Sequence, residues 1–157
     1  MKNTEIEQIY ELLSKIKRPD LATDLMFRRS FSAIKNILTM KEWQDPRLRE
    51  LLTPNIWQSN YEEIKKILSM SEWEDEKFKG LLKSNIWSSN YQEIKKILSM
   101  PEWEEPKYQN LLTSNVWHIN PKEIKDILSM PEWEEQKYQG LLTSNIWQSN
   151  YEEIKKI

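Results

Sequence analysis

NIWQSNYEEIKKI occupies residues 55–67 and returns unchanged at 145–157, with two near copies between, NIWSSNYQEIKKI at 85–97 and NVWHINPKEIKDI at 115–127. The period is 30 residues. Trp43, Trp73, Trp103 and Trp133 form one column at this spacing and Trp57, Trp87, Trp117 and Trp147 a second, and the two columns hold all eight tryptophans. A fixed period of this size marks an architecture in which each unit buries its apolar face by stacking on its neighbours. The repeats run 31–60, 61–90, 91–120 and 121–150, and 151–157 opens a fifth. The chain is therefore expected to be a fragment of a longer array. Ile154 and Ile157 would then lie on an apolar face free to fray or to pack end to end against another molecule. Residues 1–30 read as a degenerate capping repeat. Lys17, Leu21, Met26, Phe27 and Ser30 keep register with later copies, while Ile6, Ile9 and Leu13 do not.

Within one copy the residues ask for helices. In NYEEIKKILSM, Asn60 suits an N-cap, Glu63 stands where a capping box needs it, and Tyr61, Ile64, Ile67 and Leu68 share one face. Glu62 with Lys66 and Glu152 with Lys156 are spaced as i,i+4 ion pairs, and the fourth copy swaps both signs together as Lys122 and Asp126. Pro101 and Pro131 stop this first helix, and a turn carrying Glu72 and Trp73 follows. A second helix is expected from about Asp75, because Asp45-Pro46 and Glu105-Pro106 place an acidic cap before a proline at the first helical position. Its apolar face is Phe78, Leu81, Leu82 and Ile86. Thr53-Pro54 leaves two possibilities open, a kinked second helix or a short third one capped by Thr53. The fold class expected is all-α, an α-solenoid in the form of a superhelical stack of helical hairpins.

Composition narrows the function. With 38% hydrophobic and 31% charged residues the chain reads as a globular protein, and a formal charge of -2 argues against a strongly basic surface overall. No transmembrane or signal segment is visible, so no membrane partner and a cytoplasmic location are expected. There are no cysteines, one histidine and no glycine-rich phosphate loop. The cluster Glu72, Glu74, Asp75 and Glu76 resembles a hard-metal site in composition, but a solvated helix start explains it better. No enzyme activity, no metal and no cofactor are expected.

If the array reads a partner, the reading residues should differ between copies while the frame stays constant. Two columns do so with chemically distinct side chains: Arg49, Lys79, Gln109 and Gln139, and Gln58, Ser88, His118 and Gln148. A third holds Glu50, Gly80, Asn110 and Gly140, whose glycines ask for close approach by some other group. The tryptophans, constant between copies, belong to the contacts between repeats, and Asn55, Asn85, Asn115 and Asn145 are expected to satisfy backbone groups at the break.

YEEIKKILSM, a tight turn, and then LL followed in the first copy by Pro54 resemble the helical-hairpin repeats of TAL-effector-like DNA-binding proteins. The Ile/Leu pattern with proline after the first helix is similar to mitochondrial transcription terminator repeats. The resemblance covers 31–150. It implies a nucleic-acid partner, with Arg47, Lys77, Lys107 and Lys137 near the phosphate backbone. The copies here are shorter than the TAL-type units, lack the glycines of that family's turn, and place Glu42, Glu72, Glu102 and Glu132 beside it. Each copy is nearly neutral: 61–90 carries six acidic and five basic side chains. The sequence therefore favours a binding scaffold for a protein or peptide partner, with a nucleic-acid-binding array as the alternative.

Overall fold

A computed structural model describes residues 1–156; Ile157, part of the expected terminal apolar face, lies outside the described residues. The protein is all-α, and no strand occurs among the described residues. It forms two compact units, residues 1–70 and a second that begins at Ser71.

The first unit opens with α1 (Asn3–Lys15) and α2 (Asp24–Phe27), followed by α3 (Phe31–Leu38), α4 (Pro46–Arg49) and α5 (Tyr61–Leu68). The second contains α6 (Tyr91–Leu98), α7 (Pro106–Gln109), α8 (Pro121–Leu128), α9 (Gln136–Gln139) and α10 (Tyr151–Lys155). Between them lie 3-10 turns such as Pro54–Gln58, Pro101–Glu104 and Ser114–His118. Each repeat is thus four short helical segments rather than two or three helices.

The Asn-capped helix is the regular element. Asn60, Asn90 and Asn120 accept from the N–H of Glu63, Glu93 and Glu123 at 2.9, 2.9 and 2.8 Å, and Ser30 does the same for Ala33. Two turns later Ser69, Ser99 and Ser129 donate their hydroxyls back to the Lys65, Lys95 and Lys125 carbonyls at 2.7 Å, which closes the last turn before an extended methionine. In the copy capped by Asn120 the glutamate expected to complete a capping box links to the next helix. The Glu123 carboxylate accepts from the Tyr151 N–H, at the start of the next helix, at 2.9 Å.

Both tryptophan columns are core, with no ring more than 7% exposed, but their hydrogen bonds differ. In the first column the indole N–H of Trp43, Trp103 and Trp133 donates to the carbonyl of Ile37, Ile97 and Ile127, six residues back, at 2.7, 2.6 and 2.6 Å. That carbonyl belongs to the last turn of the Asn-capped helix, where acceptors lack helical partners. In the second column the bond spans repeats. Trp57 donates to Leu21, Trp117 to Leu81 and Trp147 to Leu111, each 36 residues back, at 2.9, 2.8 and 2.6 Å. Trp117 meets Trp73 edge-on at 6.4 Å and 84°, and Trp147 meets Trp103 at 6.4 Å and 80°. Such pairs add to burial by roughly 0.5–1.5 kcal/mol each.

This bond meets the second helix where it breaks, although the fourth copy breaks likewise at Thr143 (φ -125, ψ 168) with no tryptophan on the Leu141 carbonyl among the described residues. In a continuous helix the Leu81 carbonyl would accept from the N–H of residue 85; here Trp117 and the N–H of Lys83 take it. Leu111 is shared in the same way by Trp147 and Thr113, and Leu21 by Trp57 and Thr23. Thr53 turns the chain out at φ -125, ψ 164, and Lys83 does so at φ -125, ψ 163 although serine follows it, so Pro54 is not the cause. The expected Thr53 cap is absent as well: its hydroxyl donates to the Asn55 side chain and makes no cap bond to backbone. Asp45 and Asp75 do cap their segments, by accepting from the Arg47 and Lys77 N–H at 2.9 and 3.1 Å. Glu105 and Glu135 make no cap bond, being one methylene longer.

Residues 1–30 share this chemistry where they keep register. Leu21 and Met26 are fully buried, and Arg29 donates to the carbonyls of Trp57 and Ser59 at 2.9 and 2.7 Å. Phe27, in the tryptophan column, is 37% exposed and tilts against Tyr10.

A Cβ at Gly80 or Gly140 would meet nothing within 4 Å, and neither has positive φ, so the fold itself does not require glycine at either position. Gly80→Ala and Gly140→Ala should each raise the free energy of unfolding by about 0.4–1 kcal/mol, read from the urea midpoint. Trp117→Phe keeps an aromatic ring but loses the bond to Leu81 and part of the buried indole, and should cost about 1–3 kcal/mol in the same assay. An unchanged midpoint for Trp117→Phe would remove the inter-repeat bond from the account.

Candidate binding surfaces

The residues expected to contact phosphate are engaged by carboxylates. Lys77 reaches Glu104, and Lys107 reaches Glu134 at 2.8 Å; each carboxylate belongs to the following repeat, 27 residues on. Those contacts raise both lysines above the ordinary lysine range. Arg47 pairs with Asp45 at 3.1 Å and Lys137 with Glu135 at 3.6 Å. Lys77, Lys107 and Lys137 also lie over the rings of Phe78, Tyr108 and Tyr138 at 5.2, 5.1 and 5.0 Å.

The glutamates of the turn complete a second set of links. Glu72 accepts from Lys95 at 2.8 Å and Glu102 stands 3.9 Å from Lys125, so these carboxylates point to the next Asn-capped helix instead of into a reading loop. Lys95 is the main cause of a Glu72 pKa below the ordinary carboxylate value. Two of the three expected i,i+4 pairs give way to this arrangement. Among the described residues neither Lys122 with Asp126 nor Glu152 with Lys156 closes an ion pair, whereas Lys95 and Lys125, one position before Lys96 and Asp126, link repeats. The acidic cluster is dispersed in the same way, Glu72 to Lys95, Asp75 to the Lys77 N–H and Glu76 to Lys79 at 2.8 Å. Among the described residues no three His, Cys, Asp or Glu side chains gather as a metal site. Among the same residues no helix is long and apolar enough to cross a membrane.

All eight side chains of the two variable columns are exposed, Arg49, Lys79, Gln109, Gln139, Gln58, Ser88, His118 and Gln148. The first column makes local contacts in two copies. Arg49 donates to the Trp43 carbonyl at 3.1 Å, and Lys79 pairs with Glu76. In the second column, Ser88 donates to the Asn85 carbonyl at 2.8 Å. His118 and Gln148 come together, on an open groove of about 420 Å³ whose walls include Glu123, Trp147, Asn150 and Glu153. The column was legible from the sequence; the groove was not, because it forms where the Trp147 turn lies beside the start of α8. Asn85 donates to the Ser114 carbonyl of the next repeat at 2.8 Å, the role expected of its column.

Of two further cavities, one has mainly apolar walls and the other mixes apolar with charged side chains. One, of about 430 Å³ in the first unit, lies among Leu12, Ile16, Leu38, Met40, Trp43 and Leu52, with Arg18 and Arg49 at its edge. Arg18 is already held by Asp20 at 2.8 Å. The other, of about 360 Å³, lies against Trp133, Tyr138 and Leu141.

No protein-family model matches this chain, and neither a curated protein nor a solved structure matches it.

The Glu72–Lys95 link has a pH signature. Because the pKa of Glu72 is depressed in the folded state, its contribution is present above the ordinary carboxylate pKa and is lost as pH falls through the lower folded value. Glu72→Gln should therefore lower the melting temperature at neutral pH, and the difference from the parent protein should close on acidification below pH ~4. A gap that persists at low pH would assign the effect to packing instead.

Proposed function

We propose that this chain is a non-enzymatic binding scaffold, a superhelical stack of 30-residue helical-hairpin repeats of the α-solenoid kind, that recognises a protein or peptide partner. The observation that carries this reading is the division of labour between columns. The tryptophan and isoleucine columns that stay constant between copies are buried, while the two columns that begin at Arg49 and Gln58, which change, stand exposed, with His118 and Gln148 on one groove. A binding surface needs that separation, since its specificity must vary without disturbing the frame.

The chemistry of the groove suits a hydrogen-bonding peptide. His118 and Gln148 offer donors and acceptors, and Glu123 and Glu153 add negative charge along the wall. A phosphate backbone would meet repulsion there. Along the alternative surface, Arg47, Lys77, Lys107 and Lys137 would have to leave Asp45, Glu104, Glu134 and Glu135 before meeting phosphate. The nucleic-acid reading has less support for that reason.

Selection of peptides from a displayed library against the intact protein should return binders whose affinity falls at least about tenfold on His118→Ala or Gln148→Ala. In a low-salt gel shift with mixed DNA and RNA, no shift is expected at micromolar protein. A salt-sensitive shift that weakens when Lys77, Lys107 and Lys137 are all changed to Gln would replace the peptide reading with the nucleic-acid one.

A further inference from the structure

The joint between residues 1–30 and the first repeat differs from a later joint in what fills it. Lys17 and Leu21 hold the 30-residue register, which sets Arg18 where Leu48, Phe78, Tyr108 and Tyr138 stand, and Leu38 where Leu128 stands. In the second unit Tyr108 is buried and its hydroxyl donates to the Leu128 carbonyl at 2.9 Å, so an aromatic ring closes the space at the end of the following Asn-capped helix. At the first joint Arg18 turns to Asp20 instead, its Nε and Nη2 donating to the two carboxylate oxygens at 2.9 and 2.8 Å. The cavity of about 430 Å³ lies at this place, with Leu38 in its wall. One side of it is formed by the end of α1 and Arg18, the other by the end of α3, Trp43 and Leu52.

Backbone closure at the end of α1 sets the cations of this site. Lys17 is left-handed at φ 59, its N–H donates to the Ser14 carbonyl at 3.1 Å, and the Arg18 N–H donates to the Leu13 carbonyl at 2.9 Å, a pair of bonds that ends the helix and leaves Lys15 and Arg18 both on the cavity wall. On the opposite side Arg49 is held by the Trp43 and Gln44 carbonyls at 3.1 and 3.4 Å. Among the described residues Lys15 closes no ion pair, and neither guanidinium has a partner at Nη1. Every charged side chain of the wall is basic, and Asp20 offsets only one of the three. The remaining wall is apolar in what it offers. The Trp43 indole N–H is committed to the Ile37 carbonyl and the Thr39 hydroxyl to the Lys35 carbonyl.

We propose that this cavity binds a small amphipathic carboxylate, an aliphatic tail that ends in one carboxyl group. The tail takes the space that the Tyr108 ring fills in the later joint, against Leu12, Ile16, Leu38, Met40 and Leu52. The carboxylate lies at the rim and accepts from Lys15, Arg18 and Arg49, where charge-assisted bonds are strongest. Arg18 already shows this chemistry in its two bonds to the Asp20 carboxylate. A volume of about 430 Å³ with apolar walls and a few polar groups is of the size that holds small molecules. The site belongs to this joint alone: later copies replace Arg18 by Leu, Phe or Tyr, and Arg49 by Lys79, Gln109 and Gln139. The inference does not depend on the groove at His118 and Gln148, so the failure of either leaves the other standing.

The test titrates octanoate into the intact protein by isothermal calorimetry, with octanol and acetate as probes that carry the tail or the carboxylate alone. Saturable binding of octanoate is expected with a dissociation constant of about 1 mM or tighter, and each of the other two should bind at least about tenfold more weakly. Arg49→Gln, the residue of the third and fourth copies, should weaken octanoate about tenfold through the loss of a charge-assisted bond. Arg18→Tyr should fill the cavity as Tyr108 fills the later joint, and should abolish binding while helical dichroism is kept. If either variant loses its helical dichroism, the comparison of the three probes on the unaltered protein decides. Absence of saturable binding up to about 10 mM octanoate overturns the proposal. Octanol binding as tightly as octanoate overturns it by showing an apolar cavity indifferent to charge, and acetate doing so overturns it by showing a surface anion contact alone. Octanoate affinity unchanged by Arg49→Gln or by Arg18→Tyr in a folded protein overturns it as well.

Discussion

An indole N–H reaching 36 residues back to a leucine carbonyl is the contact on which the rest of this architecture depends. A helix of only eight residues is marginal by itself, since nucleation is costly and few bonds repay it. Here the tryptophan of one repeat enters the preceding one, takes the carbonyl of Leu21, Leu81 or Leu111, and in the second unit packs against that repeat's own tryptophan. The ring and the break fit one another: the broken helix leaves the leucine carbonyl open to the indole, and the ring fills the space beside it. An uninterrupted helix would have no carbonyl to offer, while the fourth copy, broken at Thr143 with no tryptophan on Leu141 among the described residues, leaves that leucine exposed.

Charge follows the same plan. Lys77 with Glu104, Lys107 with Glu134 and Glu72 with Lys95 all join a repeat to the one after it. Exposed pairs of this kind contribute little to stability individually, about 0–1 kcal/mol. Their effect is on register: a lysine over a neighbouring ring and a carboxylate across the joint select one alignment of repeats among those that the apolar faces alone would allow. His118 and Gln148 stand apart from these links, exposed on their groove.

Much of this could be read from the residues. The two tryptophan columns, the Asn caps and the apolar face of Ile64 and Ile67 follow from a period of 30 and from helix chemistry, both of which are local or repetitive signals. The partition of the second helix could not be read from one position, since Pro54 marks the break in one copy but Lys83 adopts it without a proline, and the indole that meets it comes from 36 residues away. The same limit applies to Lys77 and Lys107, which look like solvent-facing cations until the following repeat brings Glu104 and Glu134 beside them. Glu105 shows a finer failure, since an acid before a proline resembles a cap but only Asp is short enough to make one in this turn. The groove at His118 and Gln148 forms between segments, so the column could be recognised without the space it lines.

Hydrogen exchange of the tryptophan indole protons, resolved by two-dimensional NMR, tests the central claim most directly. If Trp117 and Trp147 donate to the Leu81 and Leu111 carbonyls inside the preceding repeat, their indole protons exchange only through global unfolding, at rates that track the stability measured by denaturant. Exchange of either indole proton within seconds at neutral pH, in a protein that remains helical, would contradict the claim that this bond holds the repeats together.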